Sequence, residues 1–359
     1  MRGPAMSAAA ELRSVTSPVP VDVWESVFKS DPEAVASQSL AWRDAVLADG
    51  RYADASRLYE FGPGRQIVLP LVRRRMLPGP AATLASWPRT WSAGGPICQD
   101  GQVSDAEAVA GLADLGSLRP LACELRLRQG APACWQEAAA GYAVTADPTW
   151  DLDLSGGFGQ VWERRFRGSF RQAVRKAERS GLEIEVDRSG RLLGEFWGLY
   201  RASMERWARM QHAPVWLTRR RLAADTSPRR LELVARHFGQ DCATWLARAD
   251  GKPVAGIIVL RSGGFAKYWR GAMEKDGANR TRANEMLHKL AIEEACREGY
   301  RYYDLGFARP GSPLAAFKEK FGAELRFTHT LRAERLPLQA AGQLPKELVK
   351  KAIRFSDNT

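Results

Sequence analysis

The side chains best suited to chemistry lie in the last third of the sequence: Lys318 and Lys320, flanked by Phe317 and Phe321, and Asp304. A lysine can place positive charge where an oxyanion develops in acyl transfer, and removing one such donor costs about a hundredfold or more in rate. An aspartate can move a proton through water, or it can cap the loop that follows it. We predict Lys318 as the catalytic cation, Lys320 as its substitute or a substrate contact, and Asp304 as a proton-transfer candidate. The alternative is that both lysines only flank a turn anchored by the phenylalanines.

Histidine and cysteine offer no comparable arrangement. His212, His237, His288 and His329 are widely separated, as structural histidines usually are, and none forms a convincing triad with serine or cysteine. The 5 cysteines are scattered and never spaced as CxxC, which argues against a zinc site or a disulfide framework. We therefore expect no covalent intermediate, no metal, no cofactor and a reducing, cytoplasmic compartment.

A basic segment beginning near Val161 predicts one long helix that ends at Gly181. Apolar residues recur every three to four positions and form one buried face: Trp162, Phe166, Phe170, Val174 and Ala177. The other faces carry mostly cations: Arg164, Arg165, Arg167, Arg171, Arg175, Lys176 and Arg179. Because a solvated helix normally mixes charge signs, this surface is the best candidate for binding a phosphate backbone. The alternative is an exposed basic helix without a partner.

Length and composition limit the possible number of domains and the possible partners. The chain has 359 residues, of which 45% are hydrophobic, so it is long enough for two folded domains. No apolar run is long enough to span a bilayer, which predicts a soluble protein, expected to be a monomer. A formal net charge of +12 favours a polyanionic partner.

The remaining patterns predict a mixed α/β (α+β) fold. Helices are expected early in the chain, around Trp24 and over residues 40–47, with strands at 67–72 and 121–127. The segment 86–96 is rich in breakers and predicts a loop. Residues 242–273 read as three antiparallel strands, the first two joined by an Asp-Gly turn. A helix over about 283–297, a strand near 300–306 and a basic helix over 345–355 complete the prediction, and this order in the second half matches a GNAT acyltransferase core.

Four motifs strengthen that comparison: Phe170–Ala177, Tyr268–Ala272, Tyr303–Gly306 and Phe317–Glu324. In this order and spacing they resemble the second domain of the Fem family of aminoacyl-tRNA-dependent ligases, which are built from two GNAT-like domains. The resemblance implies two tandem GNAT-like domains, each a mostly antiparallel sheet flanked by helices. It places residues 1–153 and 326–359 in a first, acceptor-side domain and residues 154–325 in a second, donor-side domain.

The resemblance also implies an activity. In that family the donor is an amino acid esterified to tRNA, and the acceptor is an amine. The catalytic lysine of the family falls on Lys318, an arginine that binds acceptor phosphate falls on Arg206, and Tyr268 and Trp269 could stack on the terminal adenine. The residues expected to contact tRNA are Arg164, Arg167, Arg171, Arg175, Lys176, Arg280 and Arg282.

Two features bear on the substrates. Residues 277–284 contain a single glycine, whereas an acyl-CoA enzyme needs a glycine-rich turn whose amides approach the pyrophosphate. The first half departs from the family at Arg43 and at Arg126–Arg128, which favours a peptide or small-molecule amine of specialised metabolism at least as much as a peptidoglycan precursor. An acyl-CoA or acyl-carrier N-acyltransferase is the alternative, and a non-catalytic RNA-binding protein is a third possibility.

Overall fold

The computed structural model describes residues 11–62, 64–75 and 82–336. These residues form two compact units: one is Pro148–Arg326, and the other joins the residues up to Asp147 to those from Phe327. The domain boundaries inferred from the sequence stay predictions, and the helix expected at 345–355 lies outside the described residues. No helix in the described ranges is long and apolar enough to cross a membrane.

The strands are β1 Leu12–Thr16, β2 Tyr52–Asp54, β3 Arg57–Phe61, β4 Arg65–Leu69, β5 Val72–Arg74, β6 Thr83–Ala85, β7 Ile97–Cys98, β8 Ala122–Arg126, β9 Ala143–Asp153, β10 Glu183–Asp187, β11 Cys242–Ala249, β12 Lys252–Ser262, β13 Phe265–Met273, β14 Tyr302–Phe307 and β15 Glu324–Glu334.

The α-helices are α1 Val21–Ser30, α2 Leu40–Ala48, α3 Asp105–Ser117, α4 Cys134–Glu137, α5 Gly157–Gln160, α6 Gly168–Glu178, α7 Leu193–Met210, α8 Val215–Asp225, α9 Pro228–Phe238, α10 Lys275–Thr281, α11 Ala283–Arg297 and α12 Pro313–Glu319. Short 3₁₀ turns lie at Ala36–Gln38 and Gly239–Asp241, and a π-helical turn lies at Val161–Arg165.

The unit built mainly from the first half contains two groups of strands. One has the order β1-β3-β4-β7, and the other contains β15, β8, β6, β5 and β2 in sequence of pairing, with only β6 and β8 parallel. Helix α3 starts at a capping box, in which Ser104 and Glu107 satisfy each other's backbone amides. The predicted helices α1 and α2 are present, and segment 86–96 lacks regular structure apart from an isolated bridge at Gly94.

The unit Pro148–Arg326 contains strands in the order β10-β11-β12-β13-β14-β9, antiparallel except for β13 with β14. The predicted three-stranded meander is confirmed. Its first turn is Asp250-Gly251, and both residues have positive φ, as a type I′ hairpin requires. Helix α11 occupies the predicted range, and its apolar side chains pack with those of α6 in one core. The mixed α/β prediction is therefore confirmed.

The prediction of one long helix from Val161 was wrong. The π-helical turn ends at Phe166, whose ψ of 125° is extended, and α6 starts anew at Gly168. The guanidinium of Arg171 holds this break, because its Nη1 donates to the carbonyls of Trp162 and Phe166 at 2.9 Å and of Glu163 at 3.0 Å. An arginine can therefore end a helical run that apolar periodicity alone continues.

Gly322 provides a test of this packing. Its φ is +75°, and a Cβ there would lie 2.2 Å from the carbonyl oxygen of Arg165. Replacing Gly322 by alanine adds a backbone clash to left-handed strain of about 1–2 kcal/mol, so we expect a loss of about 3 kcal/mol or more in unfolding free energy. Gly181→Ala is the matched control, since Gly181 has φ +66° and no atom within 4 Å of its added Cβ. Equal losses in urea denaturation of the two variants would contradict the clash.

Candidate active site

The two parallel strands of the second unit stop pairing partway along their length. Pairing of β13 with β14 runs only from Phe265 to Lys267, although β13 continues to Met273. At this level β13 carries a bulge, because Ile258 of β12 pairs with Arg270 and Val259 with Tyr268. A bulge bends its strand and redirects side chains, and bulges are common beside active sites. The unpaired ends of β13 and β14 are therefore the place to look for chemistry.

A row of charged residues crosses the sheet at the last paired position. Asp304 of β14 lies opposite Lys267 of β13 on one side and opposite Asp151 of β9 on the other. The Lys267 ammonium donates to Asp304 Oδ2, and the Gly306 amide donates to Oδ1 at 2.7 Å. Asp304 thus caps the turn after it, as the sequence allowed, and it also binds the partly buried Lys267.

Lys318 reaches the same region from α12. This helix begins at Ser312, whose hydroxyl accepts from the Ala315 amide at 3.1 Å, with Pro313 at the first helical position. The Lys318 Nζ is buried and donates to the carbonyls of Gly306 and Phe307, both at 2.8 Å. The predicted catalytic lysine is therefore bonded to the backbone at the end of β14.

Burial makes Lys318 an unusual lysine. It lowers the pKa of the ammonium to about 7, with Lys267 acting in the same direction and the carboxylates of Asp304 and Asp151 opposing it. A lysine titrating near neutral pH can change its charge during a reaction, as ordinary lysines do not. This is a property of functional lysines, and it supports the choice of Lys318 over Lys320.

Asp151 is the member of the cluster that the sequence analysis missed, together with Lys267. Burial raises the pKa of Asp151 well above its ordinary value, Asp304 raises it further, and Lys267 opposes both. Among the described residues, no donor bonds to Asp151 Oδ1. Two adjacent carboxyls rarely ionise together, so Asp151, whose pKa is raised, carries the proton. The available signal was an aspartate alternating with leucines at a buried strand end.

His288 of α11 lies next to this cluster within a group of aromatic rings. Its Nδ1 lies 3.2 Å from the Tyr303 hydroxyl, and its ring contacts those of Tyr268, Phe317 and Phe321. Burial lowers the pKa of His288 to about 3, and Lys318 adds to the effect. The imidazole is therefore neutral and belongs to the core, as the sequence analysis expected for a histidine without a triad.

The predicted substrate contacts have mixed surroundings. Arg206 of α7 donates to the Met273 carbonyl at 2.9 Å, at the end of β13. Trp269 is 6% exposed, and Tyr268 packs against the core, so their burial gives no support to stacking on a base. The carbonyl of Lys320 accepts from the Arg167 amide at 2.9 Å, which connects α12 to the basic segment.

The predicted phosphate contacts divide by exposure. Arg282 is partly exposed, and five of the cations are exposed: Arg164, Arg167, Arg175, Lys176 and Arg280. Arg171 is the exception, because its bonds to three carbonyls give it a structural role. The assignment of all seven cations to phosphate binding stays a prediction.

The segment between β13 and α11 is a helix where an acyl-CoA enzyme would need an open turn. The carboxylate of Glu274 accepts from the amides of Asp276 and Gly277 at 3.0 and 2.6 Å, and the Arg282 amide donates to the Ala278 carbonyl. Arg282 then takes a left-handed conformation with φ +60°, which favours glycine. The amides of Asp276, Gly277 and Arg282 are thus bonded within the chain, whereas a pyrophosphate would require free backbone amides in this segment.

A cavity of about 440 Å³ in the same unit lies elsewhere, around the start of β14. Its walls include Asp153, Ser155, Cys296, Tyr300 and Tyr302, and none of the predicted site residues. The carboxyl of Asp151, Lys318 with its lowered pKa and the bulge of β13 all lie toward the other end of β14. We therefore place the candidate active site there.

Replacing Asp151 by asparagine should reveal its proton. A raised pKa in the fold means that Asp151 contributes stability below its ordinary pKa of 3.8 and loses it as pH rises through its folded pKa. Asparagine cannot titrate, so the free energy of unfolding of the variant should rise relative to that of the wild type, by up to about 1.4 kcal/mol per pH unit, as pH increases above 3.8 in urea denaturation. Asp153→Asn is the control, because hydrogen bonds from Ser155 and the Arg165 charge outweigh burial and lower the pKa of Asp153. A pH-independent difference for Asp151→Asn would contradict the assignment.

Comparison with known proteins identifies the type of domain that carries most of these residues. The family model for the acetyltransferase (GNAT) domain matches residues 164–318, which include Lys267, Asp304 and Lys318. The crystal structure of FemX aligns with a TM-score of 0.64 at 13% identity, covering 88% of this chain and 97% of FemX. A search of curated proteins found no match.

Two further solved structures are also similar to this chain. L-PGS from Bacillus licheniformis aligns with a TM-score of 0.53 at 14% identity, over 95% of this chain and 99% of its own. The C-terminal domain of a putative lysylphosphatidylglycerol synthetase from Agrobacterium fabrum gives 0.52 at 13% identity, over 94% and 97%. At such identities the likeness shows the fold. The chain therefore has a Fem-like GNAT fold with a GNAT acyltransferase domain at residues 164–318, which confirms the predicted fold and the predicted acyl-transfer enzyme.

Proposed function

We propose that this enzyme transfers an aminoacyl group from tRNA to an amine acceptor and forms an amide bond. The observation that carries the proposal is the helical segment after β13, where Glu274 and the helix itself occupy backbone amides. A donor with a bulky nucleic acid is held mainly by side chains on a surface, so it does not need that nest of amides. The Fem-like fold supports the same choice.

The exposed cations of the basic segment supply such a surface. Arg164 and Arg167 precede α6, Arg175 and Lys176 lie in its last turns, and all four are exposed. Phe170, Val174 and Ala177 bury the opposite face, so the cations are held on a fixed scaffold. Together with the net charge of +12, this arrangement suits a phosphate backbone better than a small neutral ligand.

The cluster at the end of β14 accounts for the chemistry in this proposal. The acceptor nitrogen attacks the ester carbonyl, a C–N bond forms, and the bond from the carbonyl carbon to the ribose oxygen breaks. The proton lost by nitrogen must reach that ribose oxygen. Protonated Asp151 can supply a proton and recover one from nitrogen, while charged Lys318 stabilises the developing oxyanion and orients the carbonyls of Gly306 and Phe307.

The acceptor is proposed to be a peptide or a small-molecule amine. The arginines that depart from the Fem pattern are engaged within their own unit. Arg126 donates to Glu124 at 3.0 Å and to the Arg89 carbonyl at 2.6 Å, and Arg128 is 3% exposed. The departure from the Fem pattern at these positions weighs against a peptidoglycan precursor.

Acyl-CoA is the second candidate donor, and the matching family model, described as an acetyltransferase domain, favours it. In that case the donor phosphates would meet the exposed side chains of Arg280 and Arg282, since backbone amides in this segment are bonded within the chain.

The donor can be tested directly by product mass. We expect amide product from a pool of charged tRNA with an amine acceptor mixture, and none from a panel of acyl-CoA donors. Prior ribonuclease treatment of the charged pool should abolish the product. Product that survives that treatment, or that forms only with acyl-CoA, would defeat the proposal.

Lys318→Met should lower kcat by about a hundredfold to a thousandfold, because it removes the charge that stabilises the oxyanion. With the pKa of Lys318 at about 7, the wild-type rate should fall as pH rises above that value and the amine loses its charge. The variant should lack this limb of the pH profile and keep its affinity for tRNA. Lys320→Met is the neighbouring control, and a variant of Lys318 with unchanged kcat would remove the residue from the mechanism.

A further inference from the structure

Arg270 lies on β13 immediately after the bulged Trp269 and three residues past Lys267, the last residue paired with β14. One edge of β13 is therefore unpaired at Arg270, beside the candidate active site, while its other edge pairs with Ile258 of β12. Arg270 is thus three residues along the same strand from Lys267, which binds Asp304 of the cluster.

The Arg270 guanidinium has few partners. Its Nη1 donates to the Trp269 carbonyl at 2.8 Å, and its carbon lies 4.9 Å from the centroid of the Trp269 ring. In the described part of the chain, no acceptor meets its buried Nε. An arginine has five N–H donors, so most of this fork remains available to a ligand.

The charges around Arg270 do not balance it. Burial lowers the pKa of its guanidinium, and the groups that oppose this effect are the hydroxyls of Tyr200 and Tyr268. An arginine does not lose its proton in a protein, so the charge persists in a partly desolvated place. A desolvated charge without a counter-ion costs free energy, and a ligand can supply the counter-ion.

Three other arginines of the same unit, buried or partly buried, pair with carboxylates. Arg261, 8% exposed on its side chain, binds the carboxylate of Glu298, and Arg188 binds Glu294 at 2.6 Å. Arg248 pairs with Glu195 at 2.7 Å. Arg270 differs from these three, because the groups that raise its pKa are tyrosine hydroxyls.

We propose that Arg270 binds an anionic group of the substrate, a carboxylate or a phosphate, at the unpaired end of β13. Arg206 donates to the Met273 carbonyl further along the same strand and adds a second cation at this end. A planar guanidinium engages such oxyanions with two parallel hydrogen bonds, which fixes their orientation as well as their position. The inference rests on the proposed function, since that function places substrate in this region.

Two variants test the assignment without an activity assay. Arg270→Met removes the unbalanced charge, so we expect it to raise the unfolding midpoint in anion-free buffer and to abolish binding of small oxyanions. Arg270→Lys keeps the charge without the fork, and we expect at least tenfold weaker binding. Binding is measured by calorimetry with inorganic phosphate and, separately, with acetate at constant ionic strength. Arg297→Gln, on an arginine whose side chain is 71% exposed on α11, is the matched control.

The outcomes separate cleanly. Binding of phosphate alone identifies a phosphate site, and binding of acetate alone identifies a carboxylate site; either one, lost in Arg270→Met and kept in Arg297→Gln, supports the proposal. Arg270→Met that lowers the unfolding midpoint and leaves anion binding unchanged overturns it. Because this measurement uses no tRNA, failure of tRNA-dependent transfer would overturn the proposed function and leave the anion site standing.

In the transfer reaction itself, the same variants should separate binding from chemistry. Arg270→Lys should raise the KM for an anionic acceptor at least tenfold while kcat changes less, because the residue binds the substrate and does not act on the reacting atoms. An unchanged KM for every anionic acceptor would count against the proposal.

Discussion

The site depends on strand register, which brings two carboxyls and a lysine side by side in a nearly dry core. Asp304 stands opposite Lys267 and Asp151 at once, so one of its cross-strand neighbours is a cation and the other is a second carboxyl group. The proximity of the two carboxyls raises the pKa of one of them, so that carboxyl keeps its proton at a higher pH than it would in water. Lys318 adds a second amine, and its pKa of about 7 means that it is only partly protonated at neutral pH. Proton location is therefore set by backbone hydrogen bonds between strands far apart in sequence.

Much of the fold follows from local patterns. The Asp-Gly turn and the apolar runs around it specify the meander, and apolar periodicity with a glycine stop specifies α11. The break after the π-helical turn could not be predicted from local patterns, because it depends on hydrogen bonds from the Arg171 guanidinium to the carbonyls of Trp162 and Phe166. Periodicity records which side chains are buried, and here it continues through an interruption in the backbone.

The site residues likewise divide into those that local motifs predict and those that depend on tertiary structure. Lys318 and Asp304 belong to contiguous motifs, so sequence alone could single them out. Asp151 and Lys267 gain meaning only from their cross-strand partners, and no spacing in the sequence reports that the three strands are neighbours. Exposure likewise could not be predicted for Arg171, Tyr268 and Trp269, because cations and aromatics occur both at surfaces and in cores.

A single backbone bond has a mechanical consequence. The Arg167 amide donates to the Lys320 carbonyl, so the entrance to the basic helix is fastened to the end of the helix that carries Lys318. Lys318, two residues before Lys320, in turn contacts the carbonyls at the end of β14. Under the proposed function, the segment that would bind the polyanion and the helix that carries Lys318 are thus bonded directly to each other.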